Sequence, residues 1–94
     1  MNNKLLNFAK NELKIGLAQC TEDQQMIFKR MYAYEYKYDE NNHSYIPNGN
    51  KPDLNKDINE VIDKMPEDKL DWAMQQIENT LAKNKITETK INNT

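Results

Sequence analysis

The stretch from Met65 to Lys83, MPEDKLDWAMQQIENTLAK, limits what the rest of the chain can fold into. Pro66 stands where a helix can start without losing a hydrogen bond, because the first helical N–H groups have no intrahelical partner. Glu67, Asp68 and Asp71 put negative charge in the first turns and Lys83 puts positive charge near the end, both favourable to the helix dipole. Leu70, Ala73, Met74, Ile77 and Leu81 recur at helical spacing and form one apolar stripe. A helix of this kind is stable only when a second apolar face covers the stripe. The spacing therefore predicts a mainly α protein.

Two upstream segments can supply that face. Asn2 or Asn3 can cap a first helix whose Leu6, Ala9, Leu13, Leu17 and Cys20 share one side, flanked by Leu5 and Phe8. Gly16 weakens this helix by about 1 kcal/mol relative to alanine, so an end or bend is expected there. Thr21 to Gln24 reads as a capping box opening a second helix. That helix is expected to carry Ile27, Phe28, Met31 and Tyr32 inward, with Lys29 and Arg30 outward. It should pack antiparallel against the Pro66–Lys83 helix as its core partner.

After Tyr32 the period changes to two. Tyr32, Tyr34, Tyr36 and Tyr38 alternate with Ala33, Glu35 and Lys37, and Asp39-Glu40-Asn41-Asn42 forms a turn cluster before His43-Ser44-Tyr45-Ile46. A short β-hairpin within residues 34–46 is expected, pairing Tyr36–Tyr38 with Ser44–Ile46. The competing reading extends helix 2 to about Tyr36 and leaves an irregular loop. Asp57 caps a short helix through Ile58, Val61, Ile62 and Met65, which Pro66 halts. The expected architecture is a bundle of three or four helices forming a single domain over residues 1–84, with a disordered tail over residues 85–94.

Composition narrows the function. Of 94 residues 37% are apolar and 30% charged, so the core is small and stability from a partner or a second copy is expected. No apolar run approaches the ~20 residues that span a bilayer, and the N-terminus lacks the apolar block of a secretion signal. The single cysteine, Cys20, cannot form an internal disulfide, which points to a reducing, intracellular compartment. Residues 38–79 hold ten acidic and four basic side chains, so no basic stripe offers a phosphate footprint.

Catalytic chemistry finds little support. His43 is the one histidine and has no cysteine or second histidine near it in sequence, which argues against zinc and against a histidine base. Cys20 beside a helix start could have a lowered thiol pKa, but a lone cysteine before a cap reads first as a packed residue. The carboxylates Asp57, Glu60, Asp63, Glu67, Asp68 and Asp71 read first as solvated helix faces, and second as a metal site or nucleic-acid mimic. No cofactor motif is present, and the expected catalytic, cofactor and metal residues are none.

The tyrosines stand out. Tyr34, Tyr36, Tyr38 and Tyr45 crowd one segment, and tyrosine offers large contact area with a polar tip at low entropic cost. Trp72 lies beside the main stripe; widening of the core is its first reading and an interface its second. These five residues are the expected partner-binding set. Phe8 and Ile15 lie off the Leu6–Leu13–Leu17 line and give helix 1 a second apolar edge, from which a homodimer through helix 1 is expected.

Phe28-Lys29-Arg30-Met31-Tyr32 and the block from Ile58 to Met74, INEVIDKMPEDKLDWAM, resemble a group of small, uncharacterised phage- and prophage-encoded helical proteins. The resemblance spans roughly Thr21 to Lys83, with a longer tyrosine-rich insert from Tyr34 to Asn55 in this chain. It implies a phage or prophage origin and assigns no catalytic or binding residue. The expected function is thus a non-enzymatic accessory protein that binds a host or phage protein. The alternative is a nucleic-acid role, with bases stacked on Tyr34, Tyr36 and Tyr38 and phosphates met by Lys29, Arg30 and Lys37.

Overall fold

A computed structural model describes the backbone of residues 2–92 and the side-chain surroundings of residues 2–87. Four helices and one hairpin follow in the order α1 (Asn3–Ala18), α2 (Glu22–Tyr32), β1 (Tyr36–Asp39), β2 (Ser44–Pro47), α3 (Ile58–Asp63) and α4 (Glu67–Asn92). The mainly α bundle with a hairpin insert is the expected architecture.

The helix starts lie where their side chains can satisfy free N–H groups. Asn2 accepts from the Leu5 N–H, and Asp57 accepts from the Asn59 N–H at the start of α3. Thr21 and Gln24 form the reciprocal capping box of α2, at 3.1 and 3.0 Å. α4 begins at Glu67, immediately after Pro66, and the Lys69 N–H closes its first turn on the Pro66 carbonyl at 3.1 Å.

α4 does not stop at Lys83. It runs to Asn92, so residues 85–92 of the stretch expected to be a tail are helical; residues 93–94 lie outside the described part. No glycine or proline follows Lys83 to break the helix, and adding a residue to an existing helix is cheap compared with nucleating one. Asn84 is also held by Gln24 through two amide hydrogen bonds of 2.9 and 3.0 Å.

The core is made by Leu13, Leu17, Phe28, Tyr32, Val61, Ile62, Met65, Leu70, Ala73 and Ile77, with Leu6, Ile58, Met74 and Leu81 packed around them. The α4 stripe is therefore the buried face of that helix. Its closest backbone neighbour, however, is α1 and not α2. A Cβ built on Gly16 would lie 2.8 Å from Ile77 Cγ2, so the missing side chain is what lets α1 and α4 approach. Gly16 lies inside α1, which continues to Ala18; the end or bend expected at that glycine is absent.

α2 is antiparallel to α4, since Gln24 meets Asn84 and Tyr32 meets Gln76. Bulky Phe28 and Tyr32 hold the two backbones apart, in keeping with the larger separation that large contact residues impose. Ile27 and Met31, expected to face inward, are consequently 53% and 43% exposed. They line an open groove of about 440 Å³ between α2 and α4, whose floor is Phe28 and Ile77.

Candidate interaction surface

The hairpin projects aromatic side chains toward the start of α4. Tyr38 and Tyr45 face each other in the antiparallel register, and Tyr36 faces Pro47. The turn between the strands is tied locally. The Asp39 carboxylate accepts from the Asn41 N–H at 3.0 Å and from the Asn42 side-chain amide at 2.7 Å. These bonds, the Asn42 amide first, hold the Asp39 carboxyl below its ordinary pKa. His43 then takes a left-handed conformation, φ 52°, to re-enter β2.

Two hydrogen bonds fix the hairpin to the helices and a third closes its own base. Tyr36 Oη donates to the Tyr32 carbonyl at the end of α2, at 3.1 Å. The Asn48 N–H donates to the Glu35 carbonyl at 2.7 Å, closing the open end of the two strands. The outer edge of β2 is blunted where the Tyr45 N–H donates to Asp68 Oδ2 at 3.0 Å. Glu35, just before β1, also accepts from Lys56 at 3.0 Å and Lys64 at 3.4 Å, which lowers its carboxyl pKa.

The five expected contact residues separate into two kinds. Tyr36 is half-buried; burial first, then the neighbouring Tyr32, Tyr34 and Asp68, pushes its phenol up to about 12. Tyr34 is partly buried and meets the Tyr36 ring edge-on at 6.3 Å. These two serve the hairpin's attachment. Tyr38 and Tyr45 are 50% and 39% exposed and stack edge-to-face at 5.2 Å and 71°. Trp72 is 62% exposed, so its first reading, as a widening of the core, does not hold. It sits four residues after Asp68, on the same side of α4, because positions four apart are neighbours on a helix surface.

Polar side chains of α4 separate Trp72 from the α2–α4 groove. Gln76 and Asn79 border both the shallow depression beside Trp72 and the α2–α4 groove. Gln76 ties the helices together there: its Oε1 accepts from Tyr32 Oη at 2.8 Å and its Nε2 approaches Met31 Sδ at 3.9 Å. Ile27 and Met31 were missed as surface residues. The available signal was the width of the α2 apolar arc, roughly 140° from Ile27 to Tyr32, more than one neighbouring helix covers.

The remaining candidates resolve into separate tasks. Asp57 caps α3, Asp63 pairs with Lys14 at 2.6 Å and Glu60 with Lys64 at 3.4 Å. No group of three potential metal ligands occurs among the described residues. Cys20 is buried, its Sγ lies 3.4 Å from the Gly16 carbonyl, and burial pushes the thiol pKa up. Lys29 reaches the Leu54 carbonyl at 3.4 Å, and Lys37 pairs with Ile46 in register, on the hairpin face opposite Tyr38. Lys29 and Lys37, two of the three expected phosphate-binding cations, are thus engaged away from the exposed Tyr38–Tyr45 pair. No helix among the described residues is long and apolar enough to cross a membrane.

Compared with protein-family models, with curated proteins and with solved structures, the chain matches none.

Proposed function

We propose that the protein is a non-enzymatic accessory protein that binds a host or phage protein through the surface of Tyr38, Tyr45 and Trp72. The observation that carries this reading is the exposure of three large aromatic side chains: Tyr38 and Tyr45 stacked beside the first turns of α4, and Trp72 one turn after Asp68 on that helix. Tyrosine and tryptophan are the residues most often found as energetic anchors in protein interfaces. The phage or prophage origin rests on the sequence resemblance, and the cytoplasm of the host cell on that origin together with the single cysteine. A homodimer through Phe8 and Ile15 of α1, 62% and 56% exposed, belongs to the same proposal. The carboxylates Glu67, Asp68 and Asp71 beside the tyrosine pair disfavour a phosphate backbone, so protein is the preferred partner over nucleic acid.

Affinity capture from host cells, quantified by mass spectrometry, tests the reading. Tyr38→Ala and Trp72→Ala, both at exposed positions, should each weaken a specific partner by about 2 kcal/mol, more than tenfold. The control variant Lys51→Ala, at an exposed loop position outside both proposed surfaces, should retain it. The same proteins recovered at the same levels by all variants would refute the surface.

A further inference from the structure

The partner-binding surface carries a charge pattern that specifies what should sit on it. Beside the Tyr38–Tyr45 pair lies an open cleft of about 370 Å³, walled by His43 and by Glu67, Asp68 and Asp71 from the first turns of α4. None of its lining residues is a lysine or arginine. Among the described residues no cation forms an ion pair with Asp68 or Asp71; the pairs of this region engage Glu35, Glu60 and Asp63 instead. Asp68 is held in place by the Tyr45 N–H through one oxygen. The tyrosine rings meet edge-to-face, which leaves ring surface uncovered, and both side chains are substantially exposed.

We infer that this cleft receives a lysine or arginine side chain from the partner protein. The inference rests on the partner-binding reading above and gives that partner its chemistry. A cation placed there meets the negative face of an aromatic ring and two carboxylates together. Cation–π attraction strengthens as the pair is withdrawn from water. The Asp68 and Asp71 charges act on the same group in the same partly shielded cleft. An acidic or phosphorylated segment would meet the Asp68 and Asp71 carboxylates and is excluded on the same ground. Trp72, adjacent to Asp71 and four residues from Asp68, stands ready to cover an apolar residue flanking the cation.

The test uses the full chain, ¹⁵N-labelled, at about pH 8, above the ordinary histidine range. Capped pentapeptides identical except for a central arginine, lysine, citrulline, norleucine or glutamate are titrated against it, and the Tyr45, Asp68 and Asp71 amides are followed by NMR. The arginine and lysine peptides should shift these amides saturably and bind at least about fivefold tighter than citrulline or norleucine, consistent with a gain near 1 kcal/mol. Asp68→Asn/Asp71→Asn keeps an acceptor for the Tyr45 N–H but removes both charges, and should bring arginine binding down to the citrulline level. No saturable shift with any peptide, equal binding of norleucine and arginine, or an unaffected double asparagine variant would each overturn the inference. Native-partner capture that depends on Tyr38 and Trp72 but not on Asp68 and Asp71 would overturn it while leaving the interaction surface intact. Capture indifferent to all four positions would overturn both.

Discussion

At position 16 a hydrogen takes the place of a side chain, and the distance between two helices depends on it. Alanine would favour the α1 helix by about 1 kcal/mol in isolation. In the folded protein its methyl would lie 2.8 Å from Ile77 Cγ2 and 3.8 Å from Leu81 Cδ1. Cγ2 belongs to a short β-branched side chain that cannot swing away, and overpacking of this kind costs about 1–3 kcal/mol. Gly16→Ala should therefore lower stability by about 1 kcal/mol net, the opposite of what helix propensity implies. Ile77→Ala, a truncation in the core, should cost about 2–4 kcal/mol. Together the two changes should cost less than their sum by about 1–2 kcal/mol, because the new methyl fills space that the lost side chain vacates. Urea denaturation of the four proteins measures this coupling, and strict additivity would show that the contact is not where the helices meet. The sequence makes Gly16 look like a local weakness, since its benefit is a contact with a residue 61 positions away.

Among the elements, what could be read from the sequence was set locally. Thr21 and Gln24 cap α2 by themselves, Asp57 caps α3, and Leu70, Ala73 and Ile77 recur at the helical period that buries them. The alternating tyrosines gave the hairpin, and the strands extend one residue beyond the expected pairing, to Asp39 and Pro47. What could not be read was set by neighbours. Ile27 and Met31 are as apolar as Phe28, and only the spacing between α2 and α4 decides which of them reach the core. The tyrosines are similarly alike in sequence and different in use. Tyr36 is neutral and half-buried with its phenol pKa pushed up to about 12, so above pH 10 the folded state retains a proton that the unfolded chain releases. Its contribution to stability is complete below the ordinary tyrosine pKa of about 10 and is lost as pH rises through about 12. Tyr36→Phe should flatten the alkaline fall in unfolding free energy across that window. The residual slope is shared by Tyr32 and Cys20, whose pKa values burial also raises, and by Lys64, raised by Glu35 and Glu60. An unchanged slope in the variant would show that Tyr36 titrates as it does in the unfolded chain.

The described residues span 53 × 30 × 22 Å, elongated relative to their small core. On the molecule's surface Phe8 and Ile15 lie seven residues apart, within about 20° of each other around α1, and Leu5 extends the same apolar edge. Stable dimers bury about 800 Å² per partner, more than one face of a 16-residue helix supplies. The neighbouring surface of α4 around Met74 and Glu78, which shares a shallow depression with Ile15, would have to join the interface. Light scattering at tens of micromolar should give a dimer mass for the wild type and a folded monomer for Phe8→Glu/Ile15→Glu. A wild-type monomer throughout that range would end the proposal, and an intact dimer of the double variant would move the interface elsewhere.

The two ends of α2 are fastened by different chemistry. Beyond its C-terminus the hairpin is anchored through Glu35, Lys56 and Lys64, full charges at or near the surface. At its N-terminus the Gln24–Asn84 amides hold α4 with no net charge at all. Dissolved ions screen the first kind of attachment and leave the second nearly untouched. Ionic strength is thus a control that acts on one end of the molecule: brine would weaken the charged part of the hairpin's attachment, leaving its Tyr36 and Tyr45 hydrogen bonds, while the far end of the bundle kept its grip.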